Sequence, residues 1–197
     1  MDKKIKILMI TDDLRAPSGV ATQSAIVADA LLRSGRFQII ALGGALKHQD
    51  YRPCKLEQYG DDLVIIPVDG YGTQDMVRQL IKQERIDMIW CMTDPRYFIW
   101  LWEFANEIRQ YCPIVYYHLW DNEPKPAFLK PHYLSNDVIV TISKLSNGIV
   151  KEVAPEVELH HIPHCINPNV FKKLTKEHVD HFRQTTFGDK LDDKFVL

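Results

Sequence analysis

The chain has 197 residues, 46% hydrophobic and 25% charged, with Gly and Pro too scarce for a disordered or collagen-like chain, so a substantial core is expected. A formal net charge of -2 gives no general attraction for nucleic acid or an anionic membrane, and no nucleic-acid partner is expected. The mainly apolar run after the charged Met1 to Lys4 is too short for a signal-peptide core or a membrane span, so a cytoplasmic protein with no transmembrane segment is expected. Cys54, Cys91, Cys112 and Cys165 lie far apart with no CxxC pair and read as reduced, mostly buried thiols.

In chain order, Ile5 to Ile10 predicts a strand. Val20, Ser24, Val27, Ala28 and Leu31 follow at helical spacing, with Ser18 as the candidate N-cap and Gly35 where a C-cap would end the helix. Phe37 to Leu42 predicts a second strand. Leu63 to Val68 predicts a third, bounded by Asp61-Asp62 and Asp69-Gly70. A polar-faced helix from about Thr73 to Glu84 precedes the strand Asp87 to Met92. Asp94 then suits an N-cap with Pro95 at the first helical position, ahead of an aromatic-rich helix from Arg96 to Tyr111. Ile114 to Leu119 and Asp137 to Ile142 predict two more strands, Ser143 to Val153 a short helix capped by Ser143, and Leu159 to Ile162 a last strand. This alternation, with near-continuous apolar strands, predicts an α/β fold: a Rossmann-like three-layer sandwich with a mainly parallel sheet.

Such sheets bind ligands at the carboxyl ends of their strands, which directs attention to the loops starting at Thr11, Thr93, His118, Ser143 and His164. The first loop, TDDLRAPSG, has neither the three glycines of the dinucleotide fingerprint nor the Lys of the P-loop. Gly19 still permits close approach to the backbone at a helix N-terminus, where free N–H groups and the dipole favour phosphate; a plain turn glycine beside a cap is the other reading. Asp12 and Asp13 resemble the acidic pair of a receiver domain. That fold also needs a Lys after its fifth strand, where this chain has His118-Leu119-Trp120-Asp121. His118 lies near a strand end beside Trp120, Asp121, Asn122 and Glu123, where a neutral imidazole can exchange hydrogen bonds with a sugar hydroxyl or serve the structure alone. Strand alternation sets His160 and His161 on opposite faces, and no second ligand pair stands at zinc-finger spacing, so HHIPHC is not read as a metal site. No G-x-S-x-G elbow is present.

Four segments in order, KILMITDDLRAPSGVATQSAIVADALLRSG, IVYYHLWDNE, DVIVTISKLSNGIVKE and HIPHCINPNVFKKL, resemble the group 1, glycogen-synthase-like retaining glycosyltransferases. The last is similar to the family's "iPnGvDtevF" passage, with Cys165 and Asn167 where Gly and Asp are usual; Cys165 is expected to alter that turn. The resemblance implies GT-B architecture, two Rossmann-like domains facing each other across a cleft. Residues 1–193 would be the N-terminal, acceptor-side domain and 194–197 the start of a C-terminal donor-binding domain. It implies transfer of a sugar from a nucleotide-sugar donor to a carbohydrate, lipid-linked or protein acceptor with retention of configuration, the donor being a co-substrate and no cofactor or metal being required. By the same resemblance, Gly19 belongs to the loop whose backbone approaches the donor diphosphate, and His118 is the histidine beside the reacting centre. The leaving diphosphate would help remove the acceptor proton, so no protein nucleophile is needed. The family's other half carries a Glu-x7-Glu pair; none occurs here, and the chain alone is expected to be inactive. Arg15, Asp94, Asp121 and Asn122 are expected acceptor contacts by loop position. Tyr97, Phe98, Trp100, Trp102 and Phe104 offer rings that can stack on sugar or lipid, but their helical spacing favours core packing or an interface. The competing reading is a free-standing Rossmann-like binding or scaffold domain without catalysis.

Overall fold

The computed structural model describes residues 3–120 and 122–188. Asp121 and the expected domain start at 194–197 lie outside the described residues. The chain divides into two compact units, 1–164 and 165–197. The first holds an eight-stranded sheet of β1 (Ile5–Asp12), β2 (Phe37–Gly44), β3 (Cys54–Lys55), β4 (Leu63–Pro67), β5 (Met88–Thr93), β6 (Ile114–His118), β7 (Val138–Thr141) and β8 (Glu158–His161). Their order is β3-β4-β2-β1-β5-β6-β7-β8, and every pair is parallel except the antiparallel edge pair β3 and β4.

β1 shows why the strands read as apolar runs. Ile7 and Met9 face one cluster, with Ala28 and Leu32 of α1 (Gly19–Arg33). Leu8 and Ile10 face the other, with Val77 and Ile81 of α2 (Gln74–Glu84). Successive side chains point to opposite faces, and a sheet covered on both sides buries them all. The expected Rossmann-like α/β fold is the observed one.

The helix ends follow local chemistry. Ser18 caps α1 by accepting from Ala21 N, and Gly35, at φ +71°, takes the left-handed conformation that ends it. Thr73 caps α2, and Ser143 forms a capping box with Ser146 at α6 (Lys144–Val153).

The aromatic helix from Arg96 to Tyr111 is corrected. The segment is a 3-10 turn at Pro95–Phe98, then α3 (Ile99–Trp102) and α4 (Ala105–Ile108), interrupted at Phe104 with φ −120° and ψ 21°. Aromatic residues are modest helix formers, and here packing decides: Phe98 and Trp102 sit edge-on to Tyr116, while Phe104 stacks on Trp100 and lies under the Arg78 guanidinium. Three of the five aromatics, Phe98, Trp102 and Phe104, are core; Tyr97 is exposed.

The expectation of mostly buried thiols holds for Cys91 and Cys112, whereas Cys54 is half-buried and Cys165 exposed. Sequence patterning also passed over β3, α5 (Lys130–Tyr133) and, in the second unit, α7 (Lys176–Phe187), which Thr175 caps at its start and Gly188 follows. Cys165 is not among the described residues with positive φ, so the glycine-type turn is indeed absent there.

Candidate functional site

β1 lies mid-sheet. The chain leaves it for β2 and β4 on one side, then returns to β5 on the other. The strand order thus reverses between β1 and β5, and ligands of open α/β sheets occupy the crevice beyond the carboxyl ends at such a point. Here that edge carries Asp12, Asp13, Thr93, Asp94 and, one strand further, His118.

Asp12 is buried, and hydroxyls meet both of its oxygens. Ser18 Oγ donates to Oδ2 at 2.6 Å and Tyr71 Oη to Oδ1 at 2.9 Å. Burial pushes the Tyr71 phenol well above its ordinary pKa, so it remains a donor. The same hydroxyl lies 3.3 Å from Thr93 Oγ1, tying the ends of β1 and β5 together.

Asp13 is satisfied differently. Arg15 donates to it from N at 2.9 Å, Nε at 2.8 Å and Nη2 at 2.7 Å. Burial alone would raise this carboxyl, but the Arg15 hydrogen bonds and charge outweigh it and hold the pKa below the ordinary value. A methyl group on Gly43 would sit 2.5 Å from Asp13 Oδ2, and one on Gly44 only 2.1 Å from the Gly70 carbonyl oxygen. Gly43 therefore leaves the room that Asp13 occupies, and Gly44 the room for the Gly70 carbonyl and the Tyr71 ring. His48 Nε2 donates to the Gly43 carbonyl at 2.9 Å, so that nitrogen carries a hydrogen.

The predicted residues fall into two groups. Gly19 and Arg15 stand at the β1 end, where Gly19 is exposed and a Cβ there would meet nothing within 4 Å. Arg15's guanidinium is engaged by Asp13, with Nη1 also 3.2 Å from Cys54 Sγ. Asp94 and His118 flank each other at the ends of β5 and β6, where Thr93 pairs with His118 in register. Asp94 caps the 3-10 turn, accepting from Arg96 N at 2.9 Å and from its guanidinium; burial raises its pKa and Arg96 lowers it further than that. Asn122 is exposed, and its carbonyl accepts from Trp120 Nε1. Asp121 lies outside the described residues.

His118 is not on the open rim: it is fully buried. Its Nε2 is 2.7 Å from Tyr133 Oη, the rings meet edge-on at 5.1 Å, and Nδ1 has no partner among the described residues. Burial pushes its pKa down to about 3, against the opposing charge of Asp94, so the imidazole is neutral. Tyr71 and Tyr133 are the site residues that sequence reasoning missed. No periodic signal marks either, although alternation along β6 does put Tyr116 and His118 on one face. Beside Tyr71, at the ends of β2 and β4, an open cleft of ≈ 460 Å³ is lined by Ala45, Leu46, Lys47, Asp69, Gly70, Tyr71 and Tyr97. At the far edge, His160 Nε2 bonds Glu158, and the described residues contain no cluster of three metal-ligating side chains. Nor do they contain a helix long and apolar enough to cross a membrane.

No family model matches the chain, and no curated protein matches it in sequence. Among solved structures, a glycosyltransferase from Rickettsia africae ESF-5 is similar over 95% of this chain and 50% of its own, with a TM-score of 0.61 and 17% identity. A looser likeness, TM-score 0.42 and 16% identity over 85% of this chain and 66% of the other, is to the N-terminal domain of a candidate aldolase from Bacteroides vulgatus. The chain shares the fold of about half of the Rickettsia glycosyltransferase.

Proposed function

We propose that this chain is the acceptor-side, N-terminal domain of a retaining GT-B glycosyltransferase, which moves a sugar from a nucleotide-sugar donor to a carbohydrate, lipid-linked or protein acceptor. The observation that carries the reading is the likeness of 95% of the chain to half of a glycosyltransferase. The four motif segments, which resemble the same class in order, add to it. The other half of the enzyme supplies most of the donor site, so this chain alone is inactive, and the reaction needs no metal or cofactor.

In this reading the donor diphosphate comes against the exposed backbone at Gly19 and the N-terminus of α1, where N–H groups and the helix dipole favour anions. Two carboxylates stand nearby. Asp13 is neutralised by Arg15, and the Asp12 charge is spread over two hydroxyl donors. Arg15 thus serves the donor by masking an acid, a different task from the acceptor contact that its loop position suggested. Asp94, Asp121 and Asn122 remain the acceptor-side candidates. His118 stands beside the reacting centre as a neutral hydrogen-bonding group. The leaving diphosphate itself assists proton removal, and the protein positions the reactants and stabilises charge.

The test is sugar transfer by the full-length product of the gene, assayed against a panel of UDP-, GDP- and ADP-sugars with product anomers read by NMR. Retained configuration is expected, and His118→Ala is expected to lower kcat by about a hundredfold, in the range of losing one preorganised donor, with native circular dichroism. Wild-type turnover by that variant would remove His118 from the mechanism. Absence of transfer with every donor would favour the free-standing binding domain.

A further inference from the structure

The His118 and Tyr133 pair carries one more hydrogen than its contact uses. Both side chains are fully buried, and among the described residues the 2.7 Å contact between Nε2 and Oη is the hydrogen bond that each of those atoms makes. A neutral imidazole has one N–H and a phenol one O–H, and a single bond between them uses one hydrogen. Two arrangements satisfy the distance. In one, Tyr133 donates to the bare Nε2 and the imidazole hydrogen sits on Nδ1. In the other, Nε2–H donates to the phenol oxygen, leaving the hydroxyl hydrogen unused and Nδ1 bare.

Acid–base strength separates them. The phenol is the better acid, with an ordinary pKa of about 10, and imidazole nitrogen, whose conjugate acid has a pKa of about 6.5, is a far better base than a phenol oxygen. O–H to N is therefore the stronger pairing. We infer that Tyr133 is a positioning residue: it donates to His118 Nε2, holds the imidazole as its Nδ1–H tautomer and makes Nδ1 a hydrogen-bond donor.

The surroundings hold Tyr133 to this task. It ends α5, a single turn too short to be stable alone. That turn is pinned through Asn136, whose Oδ1 accepts from Trp102 Nε1 at 3.0 Å and whose Nδ2 donates to the His132 carbonyl at 2.9 Å. Trp102 packs on Tyr116 at 5.2 Å, and Tyr116 packs on His118 at 5.5 Å, closing a ring of contacts that fixes both ends of the bond. Orienting partners of this kind set which imidazole nitrogen carries the proton. Asp94 is the charged group acting on the pair, and Arg96 holds its carboxylate.

The functional weight given to the tautomer rests on the role proposed for His118; the tautomer itself does not. It is read directly in this 197-residue protein, labelled with ¹⁵N on histidine, from long-range ¹H–¹⁵N correlations. Wild type is expected to show a pyrrole-type Nδ1 and a pyridine-type Nε2 for His118, with a slowly exchanging Tyr133 hydroxyl proton coupled to Nε2. Tyr133→Phe removes the donor and is expected to move the hydrogen toward Nε2, the form free histidine prefers. A pyridine-type Nδ1 in wild type, or an unchanged tautomer in folded Tyr133→Phe, would overturn the inference. If Tyr133→Phe does not fold, the wild-type nitrogen types and the hydroxyl coupling decide alone. Full activity of His118→Ala in the complete enzyme, with the tautomer as stated, would instead sink the proposed function and leave the inference standing.

Discussion

Asp12 and Asp13 are neighbours in the chain, yet each meets the cost of burying a carboxylate in its own way. Asp12 takes two neutral hydroxyl donors, and Asp13 takes a bidentate guanidinium that holds its pKa down. The glycines divide as sharply. Gly44→Ala puts a methyl group 2.1 Å from the Gly70 carbonyl oxygen and 2.9 Å from the Tyr71 ring, and is expected to destabilise by about 3 kcal/mol, the upper range for overpacking. Gly19→Ala meets nothing within 4 Å and is expected to stay within about 0.5 kcal/mol of wild type. If the donor diphosphate approaches that backbone, the same methyl group raises the donor KM of the complete enzyme. Urea titration of both variants checks the contrast, and equal destabilisation would refute it.

His118 gives a pH prediction at the same scale. Its native pKa, about 3, lies below the unfolded value near 6.5, so between those pH values the unfolded chain binds a proton that the native state refuses. Stability from this group is complete above pH 6.5 and is lost as pH falls toward 3, with a ceiling of roughly 3–5 kcal/mol. Replacing His118 with Phe is expected to flatten urea midpoints over that window. A pH slope identical to wild type would contradict the assignment.

At the scale of elements, the strands and long helices were legible because they obey one rule each. A sheet buried on both faces needs apolar runs, and α1, α2 and α6 carry their caps in the adjoining residues. Ser143→Ala, which breaks the capping box of α6, is expected to cost about 1 kcal/mol by thermal or chemical unfolding, and no measurable loss would mean that packing alone holds that end. Illegible were the segments where packing overrides periodicity. Arg96 to Tyr111 has a helical spacing of aromatics, but the packing of Phe98, Trp102 and Phe104 into the core goes with a break in the helix at Phe104. The site was legible only in part, for a related reason. Asp94 and His118 stand at strand ends and Gly19 at the start of α1, places that can be counted to along the sequence, whereas the bond from Tyr71 to Asp12 spans 59 positions and that from His118 to Tyr133 spans 15. Residues 130–133, KPHY, contain too little pattern to announce a helix, let alone the hydroxyl that it delivers.

At the scale of the molecule, the eight strands found among the described residues all lie within residues 5–161, inside the first unit. Residues 1–164 expressed alone are therefore expected to unfold in one cooperative thermal transition, whereas a gradual melt without a baseline would show that the sheet draws stability from the remaining chain. Agreement with half of a glycosyltransferase at 17% identity means that few shared letters advertise this architecture. The glycine doublet at the end of β2 offers a better handle. Its place is dictated by clearances of 2.5 Å and 2.1 Å against Asp13 and Gly70, whatever the chain binds. A fingerprint written as an acidic pair closing the first strand and Gly-Gly closing the second, about thirty residues on, would trace kinship among chains whose first loop, like this one, keeps only a single glycine.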